Sequence, residues 1–227
     1  MSEGSGAADR MLLEQGLEEL NRRNPGALPR FGALLPRLEL LLDEVQLWNQ
    51  RVRLISGSRR DIIVRHLFDS LAALPVLQAL EIYDMADVGS GNGFPALPLV
   101  LSDERLHCML IERGAKKAAY LRNAVSLLGL SGQTEVMEQD VSWVRRRFPL
   151  VMSRAFMPIH AAYPLLRKTV GESAVIVFFA GTNSVIEEEL SLLRQEQPAP
   201  VQRVDIVPLQ VPFLEEERHL CIFSGKK

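Results

Sequence analysis

The residues with the most chemistry to offer stand together in Asp87-Val88-Gly89-Ser90-Gly91-Asn92-Gly93-Phe94-Pro95. An apolar run leads straight into three glycines at alternate positions, and Pro95 follows where a helix would begin, its φ already suited to a first turn. Glycine tolerates positive φ and leaves no Cβ between backbone and ligand, so such a turn can press against a polar or anionic group at a helix N-terminus. Dinucleotide sites use GxGxxG, with free amides facing the pyrophosphate. Here the spacing is GxGxG, and Phe94-Pro95 occupies that place, where proline offers no N–H. The turn therefore reads as the cradle of a cofactor without phosphates.

Two more acids follow in register. Glu112 closes the next apolar run, where a carboxylate can accept both ribose hydroxyls of an adenosine. Asp140 follows the third run, with Val141 and Ser142 beside it. A solvated carboxylate at a strand end is the competing account of either acid taken alone.

Such groups act together only if a scaffold brings strand ends to one edge. From about Tyr83 onward, short apolar runs at 85–88, 108–111, 134–137, 150–152 and 174–179 alternate with helical stretches at 96–101, 115–128, 142–147, 159–170 and 184–195. That alternation predicts a parallel sheet covered by helices on both faces. Beyond Pro198, runs at 202–209 and 218–223, with a short polar turn between them, predict an antiparallel pair. The outline is α/β and Rossmann-like, that of a class I methyltransferase. Upstream, leucines recur at three- and four-residue steps over 12–20 and 34–48, as amphipathic helices require. Pro25, Gly26 and Pro29 separate these helices, Pro36 is tolerable near a helix start, and 61–80 reads as a helical pair broken at Pro75. The expected organisation is a disordered leader at 1–10, a helical extension at 11–80 and one compact Rossmann-like unit at 81–227.

A formal charge of −2 excludes a globally basic surface, so any contact with a polyanion has to be local. Between Trp48 and His66 stand Arg51, Arg53, Arg59, Arg60 and Arg65 against the single acid Asp61, and Arg113, Lys116, Lys117 and Arg122 cluster after the second run. A third cluster is Arg145-Arg146-Arg147. Each can neutralise phosphates or simply be a solvated face. Cys108 and Cys221 stand apart in apolar surroundings without CxxC spacing, which predicts reduced core thiols and a cytoplasmic protein. The first ten residues lack the apolar segment of a secretory signal, no run is long enough to cross a bilayer, and no metal is expected.

The chain resembles the glucose-inhibited division protein B family, bacterial methyltransferases of small-subunit ribosomal RNA. The resemblance is carried by Trp48-Asn49, by Arg65-His66-Leu67-Phe68-Asp69-Ser70-Leu71, by Asp87 through Leu99 with its second proline Pro98, and by Glu112 with Lys116-Lys117 and Tyr120-Leu121. Ser153-Arg154-Ala155-Phe156 and Glu217-Arg218-His219-Leu220 complete it. RHxxDSL followed by DVGSGxGxP is its specific part. It implies transfer of a methyl group from S-adenosylmethionine to N7 of a guanine in 16S ribosomal RNA, with the RNA or the small subunit as partner; a monomer is the expected state, which the sequence itself does not fix. Asp87, Gly89, Ser90, Gly91, Gly93 and Phe94 would line the methionine side of the cofactor, Glu112 the ribose, and Asp140, Val141 and Ser142 the adenine. Arg154 would lie near the methyl group and the target base, as the catalytic candidate, with a structural ion pair beneath the following helix as its alternative. Arg53, Arg65, His66, Lys116 and Lys117 would face RNA. His66 and Asp69 share a helix face, so they could reach one region, although packing alone would also account for His66.

Guanine N7 carries a free lone pair and no proton, so positioning should dominate and no general base is assigned. The chain departs from many relatives at Ala180 (lysine), Ala96 (glycine), Asp140 (arginine), and at Arg53 and Ile55 (asparagine and threonine). Two other functions stay open: a small-molecule methyltransferase, since fold does not fix the acceptor, and a ribosome-binding factor that kept the fold and lost turnover.

Overall fold

Among the described residues, seven strands form one sheet in the order β3-β2-β1-β4-β5-β7-β6. They are β1 (Asp84–Val88), β2 (His107–Ile111), β3 (Thr134–Met137), β4 (Phe148–Arg154), β5 (Val170–Ala180), β6 (Arg203–Leu209) and β7 (Arg218–Ser224). The computed structural model describes residues 3–28, 31–196 and 203–225. Strands β1 to β5 run parallel, and β7 pairs antiparallel with both β5 and β6. The chain winds outward from β1 to β3 and then returns to β4 on the other side of β1, so the strand order reverses between β1 and β4. Ligand crevices of open α/β sheets lie at the carboxyl ends of the strands flanking such a reversal.

Alternation along the strands sorts side chains between two cores. Met85, Leu150 and Met152 join the apolar core beneath the N-terminal helices, whereas Ala86, Val88 and Val151 join the core beneath the later ones. Asp87 and Arg154 share the parity of the first set and therefore project towards the N-terminal layer. That layer comprises α1 (Glu3–Arg23), α2 (Phe31–Asn49), α3 (Arg59–Ile62), a π-helical turn (Ile63–Phe68), α4 (Asp69–Ala72) and α5 (Leu74–Gln78). The leucine stripe read in the sequence is its buried face: Leu13, Leu17, Leu38, Leu41 and Leu42 are sealed from solvent. Helices α6 (Ala96–Ser102) and α7 (Ala115–Leu127) share this side with α2, and α8 (Ile159–Leu166) and α9 (Asn183–Glu196) cover the other.

Several expectations are corrected. The expected leader is helical from Glu3, continuous with the turns whose Leu12, Leu13 and Leu17 are buried; Asp9 pairs with Arg59 and Arg10 with Glu39, tying this end to α3 and α2. Pro36 lies inside α2, in its second turn. The region 61–80 is interrupted at Ala73, just ahead of Pro75, which sits in the first turn of α5, as the helical pair required; the sequence reading did not include the π turn earlier in the region. The expected helix at 142–147 shrinks to one 3-10 turn, Val141–Trp143, because Asp140 caps only that turn and Val144 is already extended on its way into β4. The expected helix reaching Val170 ends earlier, since that residue starts β5. The link between β6 and β7 is not a short polar turn: it contains buried Val211 and folds back onto the helical layer, where Phe213 lies 6.2 Å from Phe68. Gln202, placed at the start of that strand by the sequence reading, falls outside the described residues. Cys108 and Cys221 are free and buried.

Candidate active site

Backbone hydrogen bonds fold the glycine turn against the end of β2. The amides of Gly89 and Ser90 both donate to the carbonyl of Ile111, Gly93 donates to the carbonyl of Ser90, and the Ser90 hydroxyl donates back to the carbonyl of Asp87. Gly89 and Gly93 hold φ of +76° and +83°, the left-handed region that only glycine enters without strain. Tyr120 of α7 secures the turn from below, its hydroxyl donating to the Asn92 carbonyl at 3.1 Å. Tyr120 packs edge-on against Trp48 of α2, and Asn123 of α7 donates to the buried carboxylate of Glu44, so the N-terminal layer holds the helix that holds the turn.

Glu112 reaches into this arrangement. One carboxylate oxygen accepts the Gly91 amide at 3.1 Å, and the other accepts the Gly114 amide at 2.7 Å. A cavity of about 210 Å³ opens beside it, lined by Gly89, Glu112, Lys117, Asp140, Val141 and Phe156 among others. The three strand ends therefore converge as the spacing required. Asp140 accepts from the amide and hydroxyl of Ser142 and pairs loosely with Arg113; these bonds from Ser142 hold its carboxyl below the usual range. Ser142 itself is exposed and does not line the cavity.

Two residues stand where no sequence signal placed them. Lys117, expected to face RNA, lines this cavity, while its neighbour Lys116 is exposed. Phe156, quoted only as part of a motif, covers the turn: a Cβ on Gly89 would lie 2.6 Å from its ring. Ala155, which aims it there, has a φ of +52°.

On the other side of the turn is a charged cluster. Asp87 is buried, one of its carboxylate oxygens has no hydrogen-bond partner, and burial lifts its pKa to about 7. Arg154, at the end of β4, donates to Asp69 at 3.0 Å and to Nδ1 of His66. The π turn presents His66 and Asp69 to the same guanidinium, an irregularity of the kind often found at functional sites. Arg154 is thus ion-paired, but with the helix region before β1 rather than the helix after β4. Arg218 at the start of β7 approaches Asp69 from the other side at 3.7 Å. Burial, then the nearby Arg154 charge, lowers the His66 pKa to about 3. Phe94 closes the cluster towards the turn, its ring 6.0 Å from that of His66 and 6.0 Å from the guanidinium carbon of Arg154.

The basic clusters are partly neutralised. Arg65 pairs with Glu216, Arg59 with Asp43 and Asp9, and Arg122 with Glu138. Arg53 and Lys116 are exposed and have no ion-pair partner among the described residues. No group of three or more His, Cys, Asp or Glu residues among the described residues is arranged to hold a metal ion, and no described helix is long and apolar enough to cross a membrane.

The fold matches solved methyltransferases of low sequence identity. An O-methyltransferase from Bacillus cereus, in complex with SAH, aligns with a TM-score of 0.55 at 15% identity, covering 82% of this chain and 91% of that one. A tRNA (m1A58) methyltransferase from Aquifex aeolicus aligns with a TM-score of 0.56 at 13% identity, covering 82% and 76%. Sequence similarity reaches further. The ribosomal RNA small subunit methyltransferase G of Aromatoleum aromaticum is 36% identical over 225 residues, covering 93% of this chain and 97% of the relative. The family model described as rRNA small subunit methyltransferase G matches residues 34–221, from α2 into β7, and so takes in the glycine turn, Glu112 and the Arg154 cluster alike. The chain belongs to the rRNA small subunit methyltransferase G family.

Proposed function

We propose that this protein transfers a methyl group from S-adenosylmethionine to N7 of a guanine in 16S ribosomal RNA, acting without a metal as a cytoplasmic monomer on the small subunit or its RNA. The observation that carries the reading is the junction of two separated motifs: RHxxD binds Arg154 beside the glycine turn, so that the cofactor cradle and a candidate acceptor site share one sheet edge.

The residues fit the cofactor. A Cβ at Gly91 would meet nothing nearer than 3.5 Å, so the cradle is open there. The orphaned oxygen of Asp87 is a partner for an ammonium group, Glu112 stands where ribose hydroxyls can replace its amide partners, and Val141 offers an apolar surface to adenine. When bound, S-adenosylmethionine supplies an electrophilic sulfonium methyl. Because guanine N7 has a free lone pair and no proton, no residue of this chain would have to act as a general base. The protein's task is orientation and charge balance, which Asp69 serves by neutralising Arg154. Arg53 and Lys116 are the contacts offered to phosphates, whereas Arg65, engaged by Glu216, is a weaker candidate.

The test is incubation of the purified chain with S-adenosylmethionine and small-subunit RNA or subunits, followed by nucleoside mass spectrometry. New 7-methylguanosine supports the reading. Methylation at another atom, or none on either substrate while the cofactor binds, overturns it; binding without turnover would favour the ribosome-binding factor.

A further inference from the structure

A guanidinium can only donate hydrogen bonds, so the ring nitrogen it touches must present a lone pair. Arg154 touches Nδ1 of His66. The imidazole is therefore held neutral with its proton on Nε2, a protonation state the surrounding burial also enforces. Nε2 has no hydrogen-bond partner among the described residues, yet it is not one of the enclosed polar atoms left unpaired. An N–H donor thus opens to solvent from a ring fixed by Arg154, beside Phe94 of the glycine turn.

Resting on the guanine-N7 reading above, we propose that His66 identifies the target base, its Nε2–H donating to O6 of the guanine while N7 receives the methyl group. On that base edge guanine offers two acceptors, N7 and O6. The N7 lone pair has to stay free for bond formation, which leaves O6 for a donor. Adenine carries an amino group at the same place, and two facing N–H donors repel, so the fixed tautomer selects guanine against adenine. A neutral ring also avoids opposing the positive charge that the purine acquires.

Two substitutions separate this role from support of Arg154. His66→Asn keeps an inner acceptor for the guanidinium but is too short to replace Nε2; His66→Gln places an amide N–H near the Nε2 position. Kcat/KM on guanine RNA should fall about 30-fold in His66→Asn and recover to within about fivefold of wild type in His66→Gln, with the Kd for S-adenosylhomocysteine unchanged in both. With 2-aminopurine, which lacks O6, at the target position, the wild-type protein should lose the same factor and His66→Asn should lose no more. Nitrogen-15 NMR should place the His66 proton on Nε2. His66→Gln falling below His66→Asn, additive losses, or a proton on Nδ1 would each overturn the proposal. Guanine-N7 methylation retained under those results would leave the function standing, whereas its absence in the wild-type protein overturns the function and this proposal together.

Discussion

Asp69 and Arg154 meet at 3.0 Å although 85 residues separate them in the chain, and both side chains are nearly sealed from solvent. Removing one partner of such a pair strands the other's charge, at a cost of about 3 kcal/mol or more. Asp69→Asn is therefore expected to lower urea-unfolding stability by about that amount and to reduce methyl transfer. Unchanged stability would mean that His66 and the nearby Asp87 suffice to hold the guanidinium.

Glu112→Gln keeps one acceptor and turns an amino group towards either the Gly91 or the Gly114 amide. The mismatch should cost about 1–3 kcal/mol in stability. Calorimetry with S-adenosylhomocysteine should show at least about a tenfold loss of affinity, roughly the worth of one charge-assisted hydrogen bond. Wild-type affinity would remove Glu112 from the ribose.

The stability of the free protein should carry opposing pH slopes. Burial raises Asp87 from 3.8 to about 7, so the folded state keeps a proton that the unfolded chain releases, and stability falls as pH rises through that interval. His66 is lowered from 6.5 to about 3; its contribution is complete above the upper value and is lost as pH falls towards the lower one. Asp87→Asn should abolish the first slope alone, leaving stability that rises with pH and then levels. Urea midpoints across the acidic-to-neutral range test this, and superimposable profiles for the two proteins would refute it.

Gly89→Ala combines two penalties. An alanine at φ +76° is strained by about 1–2 kcal/mol, and its Cβ would lie 2.6 Å from the Phe156 ring. Adding Phe156→Ala should relieve the collision and not the backbone strain, giving a coupling energy of about 1 kcal/mol in a denaturation cycle. Strict additivity would show that the ring moves aside freely.

Salt should distinguish free from engaged cations. Arg53→Ala and Lys116→Ala are each expected to flatten the dependence of log K on log salt by about one unit for small-subunit RNA. Arg65→Ala, already paired with Glu216, should flatten it less. Equal changes for all three would mean that RNA displaces Glu216.

The glycine turn and Glu112 were legible because their signals are local: a strand, a turn that needs positive φ, and an acid at the next strand end. The strand succession was legible for the same reason, through short apolar runs that alternate with helical stretches. What escaped the sequence depends on distant contacts. Helix α1 extends to Glu3, and its first half meets α2 and α3 through Arg10–Glu39 and Asp9–Arg59, partners distant in the sequence. Lys117 faces the cavity and Lys116 does not, a distinction set by how α7 is rotated on the sheet. The π turn leaves no local mark, yet without it His66 and Asp69 would be two polar residues on a helix instead of a joint seat for Arg154. Arg218 was visible in its motif, but not as a neighbour of Asp69.

The antiparallel insertion of β7 between β5 and β6 has a temporal corollary. A nascent polypeptide extended only through α9 already possesses the turn, Glu112 and Arg154, but lacks the strand that delivers Arg218 to Asp69. Assembly of the charged cluster therefore waits on β7, which is made after the turn, Glu112 and Arg154, so its last member arrives when the others are already in the chain.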